Sequence, residues 1–238
     1  MPARTLLVVS AHSADFVWRA AGAIATFVAG GGRAHVVSLS FGERGESGEL
    51  WKEPGQTEER VKKLRRGEAE KAAAILGAEF SSFDLGDYPL VAGDDAVERL
   101  TALFRELGPQ VVLTHAARDP FNPDHGVAHE ATVRARVFAS GAGVASAFET
   151  VPPSELLSFE PHQPELCGFV PTTFLDITPV WEKKVAAMEA MGAQAYLRQY
   201  YSERAEHRAN HARRSSGRSD IRYAEAFQRE LPVVVDTL

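Results

Sequence analysis

The chain has one cysteine, Cys167, among its 238 residues. A single thiol excludes an intrachain disulfide and a thiolate-rich metal cluster, and Cys167 reads as a small packed side chain. Positive charge is also in short supply: 26 Lys and Arg stand against 32 Asp and Glu, a formal net charge of −6. That balance gives no global attraction to nucleic acid or to an anionic membrane, so neither is expected as a partner, and an anionic substrate would need basic groups placed locally. No apolar run approaches the roughly 20 residues needed to span a bilayer. The first residues lack the basic and apolar segments of a secretory signal, so the expected location is cytoplasmic. Repeats and low-complexity tracts are lacking as well.

What is present is ordinary globular composition, 45% hydrophobic and 24% charged. This is enough for one large α/β domain or a domain with a modest appendage. An unalternated apolar run at Leu6–Ser10 predicts a buried strand, and helical spacing of Val17, Ala20, Ala21, Ile24 and Val28 predicts a helix that Gly30-Gly31-Gly32 stops. Further strands are expected at His35–Phe41, Phe80–Leu85 and Val111–His115, with helices from Thr57 to Gly77, from Asp94 to Leu107, and from Asp124 to about Phe138. This alternation predicts a doubly wound, mostly parallel, Rossmann-like sheet. Later come strands at Glu155–Phe159 and Thr172–Ile177, and a helix opened by Pro179. A second helix follows from about Gln194 to Arg214, then a short one around Ala224–Arg229 and the stretch Leu231–Val235. The expected division is a catalytic domain over 1–200 and a helical C-terminal extension over 201–238, packed on that domain or at an oligomer interface.

Ligands collect at the carboxyl ends of strands in such a sheet. His12 and Asp15 occupy the turn after the first strand and offer an imidazole and a carboxylate to a divalent ion. His125 opens a helix after strand four and is the candidate third ligand, although spacing alone favours a helix cap beside Asp124. Two histidines and one carboxylate leave positions open for catalysis.

The order strand, Ala11-His12-x-x-Asp15, helix, followed later by Pro123-Asp124-His125, resembles the LmbE-like or PIG-L family of zinc-dependent N-acetyl-sugar deacetylases. The resemblance implies that fold, with His12, Asp15 and His125 as ligands of zinc; a two-histidine, one-carboxylate site also suits iron, manganese or cobalt. The family's general-base aspartate falls on Ala14, and its oxyanion-stabilising histidine falls on Asn122. Both departures remove parts needed for amide hydrolysis and leave the metal site intact.

The runs Ser10–Ala20, Ser40–Ser47, Phe159–Glu165 and Thr173–Thr178 are similar to the hydratase branch of that family, the 4-oxalomesaconate hydratases of gallate and protocatechuate breakdown. The similarity covers about four-fifths of the chain and stops near Tyr201. It implies a hydro-lyase that adds water to 4-oxalomesaconate to give 4-carboxy-4-hydroxy-2-oxoadipate, with Glu46 and His162 as acid–base residues and a homo-oligomer, a hexamer in the related enzyme. The alternative is an N-acetylglucosamine-type deacetylase, and a third reading is a metal- or sugar-binding relative without chemistry.

Hydration of a conjugated alkene needs an activated water, stabilisation of the enolate and a proton donor for carbon. The assignment adopted is Glu46 as base and His162 as acid, although sequence alone does not order the two roles. Without the resemblance, Glu46 is one solvated carboxylate among Glu43, Glu46 and Glu49, and His162 a turn histidine between prolines. A tricarboxylate substrate calls for arginines, and Arg19, Arg44 and Arg118 lie in or beside the motif loops. Asn122 and Tyr88 complete the candidate substrate contacts. His35, His129, His207 and His211 read as structural, and His115 as support for a metal ligand.

Overall fold

The computed structural model describes residues 4–232 and 234. Seven strands form one sheet in the order β3-β2-β1-β4-β5-β7-β6. Its members are β1 (Thr5–Ser10), β2 (Arg33–Ser38), β3 (Glu79–Ser82), β4 (Val111–Thr114), β5 (Glu155–Phe159), β6 (Thr173–Asp176) and β7 (Ala224–Arg229). The pairings from β3 across to β5 are parallel, and β7 runs antiparallel to both its neighbours. The helices are α1 (Asp15–Ala29), α2 (Glu58–Leu76), α3 (Asp94–Leu107), α4 (Pro123–Ala139), α5 (Pro164–Cys167), α6 (Trp181–Glu189) and α7 (Leu197–Ser216).

All six residues of β1 are buried, as its unalternated apolar run requires of a central parallel strand covered on both faces. Leu6 and Val8 join the core built with α1, α2 and α6, while Leu7 and Val9 join the core built with α3 and α4. Thr57 caps α2 by accepting the Arg60 N–H, and Gly77 ends it in the left-handed region at φ +78°. No helix among the described residues is long and apolar enough to cross a membrane.

Several strands are shorter than the sequence predicts: β2 stops at Ser38 and β3 at Ser82. Beyond β2 the chain still follows β1 for two residues, with Leu39 and Ser40 N–H groups donating to the Ser10 and Ala11 carbonyls. The larger correction concerns Ala224–Arg229, expected as a helix and found as β7. Burial overrides propensity here: Phe227 enters the α1 side of the core and Ala224 packs with Ala209 and Ala212 of α7. Of the stretch Leu231–Val235, residues 231, 232 and 234 have no strand structure, and 233 and 235 lie outside the described residues.

Candidate active site and metal centre

The carboxyl ends of β1, β2, β4 and β5 carry loops that meet over one cleft of about 310 Å³. The turn between β1 and α1 supplies His12 and Asp15. Asp15 Oδ2 accepts the His12 backbone N–H at 2.8 Å, so the carboxylate that begins the helix also fixes the turn. The loop after β2 supplies Glu46, and the start of α4 supplies His125. Ligand atoms of His12, Asp15, Glu46 and His125 all lie within 4.8 Å of one another.

Each imidazole is held by a carboxylate on the nitrogen that faces away from this cluster. His12 Nε2 donates to Asp124 Oδ2 at 3.2 Å, which leaves Nδ1 bare. His125 Nδ1 donates to Asp119 Oδ2 at 2.8 Å, which leaves Nε2 bare. Those two bare nitrogens are buried without a hydrogen-bond partner. Such orphaned acceptors are costly unless something electrophilic meets them. Glu46 Oε1 stands 3.3 Å from His12 Nδ1 and 3.8 Å from His125 Nε2, and Asp15 Oδ1 is 3.7 Å from the latter. Two nitrogens and two carboxylates gathered in this way fit a divalent transition metal, zinc among them.

The electrostatics agree. Burial alone would lower the His12 pKa, but Glu46, Asp124 and Asp15 hold it well above its ordinary value, so the pocket favours positive charge. Burial would raise Glu46, but His12 and His125 together bring the carboxyl down to about 2. His125 is lowered by burial and by Arg19. His115, lowered to about 3 by burial and by His125, stays neutral; its Nε2 accepts the Ala11 N–H at 2.9 Å and its ring stacks on His125 at 4.1 Å. That is the supporting place expected of it.

His162, from the loop after β5, lines the same cleft, as do Arg19, Tyr88 and Asn122. Arg19 pairs with Asp15 Oδ1. Asn122 caps α4 through Oδ1 while its amide donates to Glu46 Oε1 at 3.2 Å. Tyr88 donates its backbone N–H to Asp124 Oδ2 and lies with its ring 6.2 Å from that of His12. The other two arginines are placed differently. Arg44 is turned to Glu58 and to the Asp87 carbonyl, Arg118 is exposed, and neither lines the cleft. Sequence reading passed over Asp119 and Asp124 as the residues that orient the two histidines, and over the cleft residues Phe121, Gln194, Tyr196 and Tyr201. For the two aspartates a signal was present, since each sits within six residues of a candidate ligand on the same loop and helix start.

The family model for the PIG-L GlcNAc-PI de-N-acetylases matches residues 7–136, which carry all four residues of the cluster. The chain belongs to the PIG-L family. Within that family it is 47% identical to the 4-oxalmesaconate hydratase of Pseudomonas putida, over 100% of this chain and 93% of that protein. The crystal structure of GalB, the 4-carboxy-2-hydroxymuconate hydratase of Pseudomonas putida, superposes with a TM-score of 0.96 at 47% identity, covering 99% of each chain. The N,N'-diacetylchitobiose deacetylase of Pyrococcus horikoshii shares the fold at a TM-score of 0.79 and 18% identity, over 95% of this PIG-L chain and 84% of the deacetylase. Ala14 is fully buried in the core and does not line the cleft.

Proposed function

We propose that the chain is a metal-dependent hydro-lyase that adds water to the double bond of 4-oxalomesaconate, giving 4-carboxy-4-hydroxy-2-oxoadipate. The observation that carries this reading is the shared cleft: Glu46 and His162 come from loops far apart in sequence and line one space beside the His12, Asp15 and His125 cluster. The names of the two hydratase relatives denote keto and enol forms of one tricarboxylate skeleton, which supports the choice of substrate.

His12, Asp15 and His125 would hold the metal, with zinc suited to the donor set, and the ion would supply Lewis acidity toward the oxygen on which negative charge develops. Glu46 is ionised well below neutral pH and serves as the base that takes a proton from water. Asn122 steadies that carboxylate through its amide. His162 delivers the proton to carbon. In the free chain burial, with Arg19 and Arg204, lowers His162 to about 4. Entry of a tricarboxylate brings opposite charge to the ring and raises its proton affinity, so the imidazolium forms with substrate in place. Arg19, paired to Asp15 and facing the cleft, takes a substrate carboxylate. The same reading makes the enzyme a cytoplasmic homo-oligomer acting on a small molecule.

The test follows loss of substrate ultraviolet absorbance by purified protein, metal-loaded and chelated. Turnover that needs metal and collapses in Glu46→Ala and His162→Ala is expected. An inert metal-loaded protein overturns the reading, and acetate released from an N-acetylglucosamine derivative would put amide hydrolysis in its place.

A further inference from the structure

The loop that leaves β5 and carries His162 is gripped by α7. Tyr200 lies parallel to the His162 imidazole, with ring centroids 4.3 Å apart and planes 11° from coplanar, and its hydroxyl donates to the His162 carbonyl. Arg204 donates to the Pro161 and His162 carbonyls, and Arg208 pairs with Glu160. Tyr201 reaches the ring itself: its hydroxyl oxygen is 3.2 Å from His162 Nδ1. It is the one side chain among the described residues hydrogen-bonded to that imidazole. Tyr201 is 4% exposed, stacks on Trp18 at 5.6 Å, and lines the cleft.

A bond between a phenol and a neutral imidazole can run in either direction, and burial decides between them. If Nδ1–H donated, the Tyr201 hydroxyl hydrogen would be left without an acceptor in a buried position, at the cost of an unsatisfied polar group. If Tyr201 donates, its hydroxyl hydrogen and His162 Nδ1 satisfy each other, and the imidazole proton sits on Nε2, which has no protein partner among the described residues.

We propose that Tyr201 is a positioning residue for His162, donating to Nδ1 and so fixing the tautomer that carries its proton on Nε2. The inference rests on the reading of His162 as proton donor to carbon. Burial pushes the Tyr201 phenol up to about 12, so it keeps its proton at any working pH. Orientation and tautomer are both set before substrate arrives. The second proton that makes the imidazolium then goes to Nδ1, the Tyr201 hydroxyl turning toward the cleft to accept it, and the Nε2 proton is the one delivered to carbon.

The experiment uses the full-length metal-loaded protein with 15N-labelled histidine, the His162 signals being assigned by their loss in His162→Gln. The Nε2–H tautomer is expected in the wild type and a loss of that preference in Tyr201→Phe. Tyr201→Phe should also lower kcat by about 10- to 100-fold, the scale on which outer hydrogen-bond partners act, with KM within about twofold of wild type. An Nδ1–H tautomer in the wild type overturns the proposal whatever any variant does. A Tyr201→Phe variant with unchanged kcat and raised KM also overturns it, making Tyr201 a substrate contact. Near-wild-type turnover by His162→Ala would instead sink the catalytic role of His162, an outcome distinct from the tautomer measurement.

Discussion

Tyr88 lies flat across Gly45. A Cβ placed on Gly45 would come within 2.2 Å of the Tyr88 ring, so the aromatic wall of the cleft depends on the missing side chain opposite it. Tyr88 has little freedom to yield, because its backbone N–H is held by Asp124 and its φ is +47°. Gly45→Ala should push the ring out of place and raise KM several-fold, while the melting temperature falls by no more than a few degrees because Tyr88 is 44% exposed. Steady-state kinetics with a thermal scan would check this, and an unchanged KM would remove Tyr88 from the substrate wall.

Asp119→Asn should weaken metal binding by about 10- to 100-fold. Asp119 is ionised down to about 2: burial raises its pKa, but the hydrogen bond and charge of His125, with the Phe121 N–H and Arg19, together lower it. An amide could donate to His125 Nδ1 and move the ring proton onto Nε2, the nitrogen that must stay bare for a metal. Chelator competition on wild type and variant measures the effect. Equal affinities would show that His125 needs no orienting partner.

Removal of metal should expose a pH dependence of stability. His162 and His115 are lowered to about 4 and about 3 in the folded chain, against about 6.5 when unfolded. Between those values the unfolded state binds more protons, so stability rises with pH. Their contribution is complete above about 6.5 and is lost as pH falls toward the folded values. His12, raised in the folded chain, works in the opposite direction over the same range, so the variant isolates the effect: from about pH 7.5 to about pH 5 the urea midpoint of the chelated protein should lose more, or gain less, than that of His162→Gln. A variant that tracks wild type across that range would place the pH dependence elsewhere.

The buried pair of Lys184 and Glu225 predicts a stability effect remote from the cluster. Lys184 Nζ donates to Glu225 Oε1 at 2.6 Å and to the Trp18 carbonyl, and Glu225 accepts the N–H groups of Gly22 and Ala23 in the middle of α1. Lys184→Met would leave a buried carboxylate unpaired, costing about 3–5 kcal/mol. Urea denaturation of the two proteins measures this, and a loss below about 1 kcal/mol would mean that the α1 amides alone satisfy Glu225.

The parts of the molecule legible in sequence are those where local pattern and burial agree. The run Leu6–Ser10 and the following His12 and Asp15 declare a central strand and a liganding turn, and the structure joins them to His125 and Glu46. Arg44 and Arg118 show the limit of that reasoning. Being near a motif in sequence says nothing of side-chain direction, and Arg44 finds its carboxylate in α2. Ala224–Arg229 has helix-forming composition and becomes a strand because β5 and β6 flank it, a fact held by residues far away. Tyr201 was invisible for a similar reason, since only tertiary packing brings α7 to the loop after β5.

The place of β7 has a consequence for synthesis. β6 pairs only with β7 among the described residues, and β5 finds its second neighbour there. A ribosome that has delivered the chain through α7 has made every candidate ligand, both proposed acid–base residues and Tyr201, but the sheet edge beyond β5 still lacks the strand that closes it. The loop bearing His162 spans from β5 to β6, so one of its two anchors stays unpaired until Ala224–Arg229 emerges. Active enzyme should accordingly appear only after Ala224–Arg229 has been made, and nascent chains halted before residue 224 should hold the candidate metal-binding side chains without the ability to turn over.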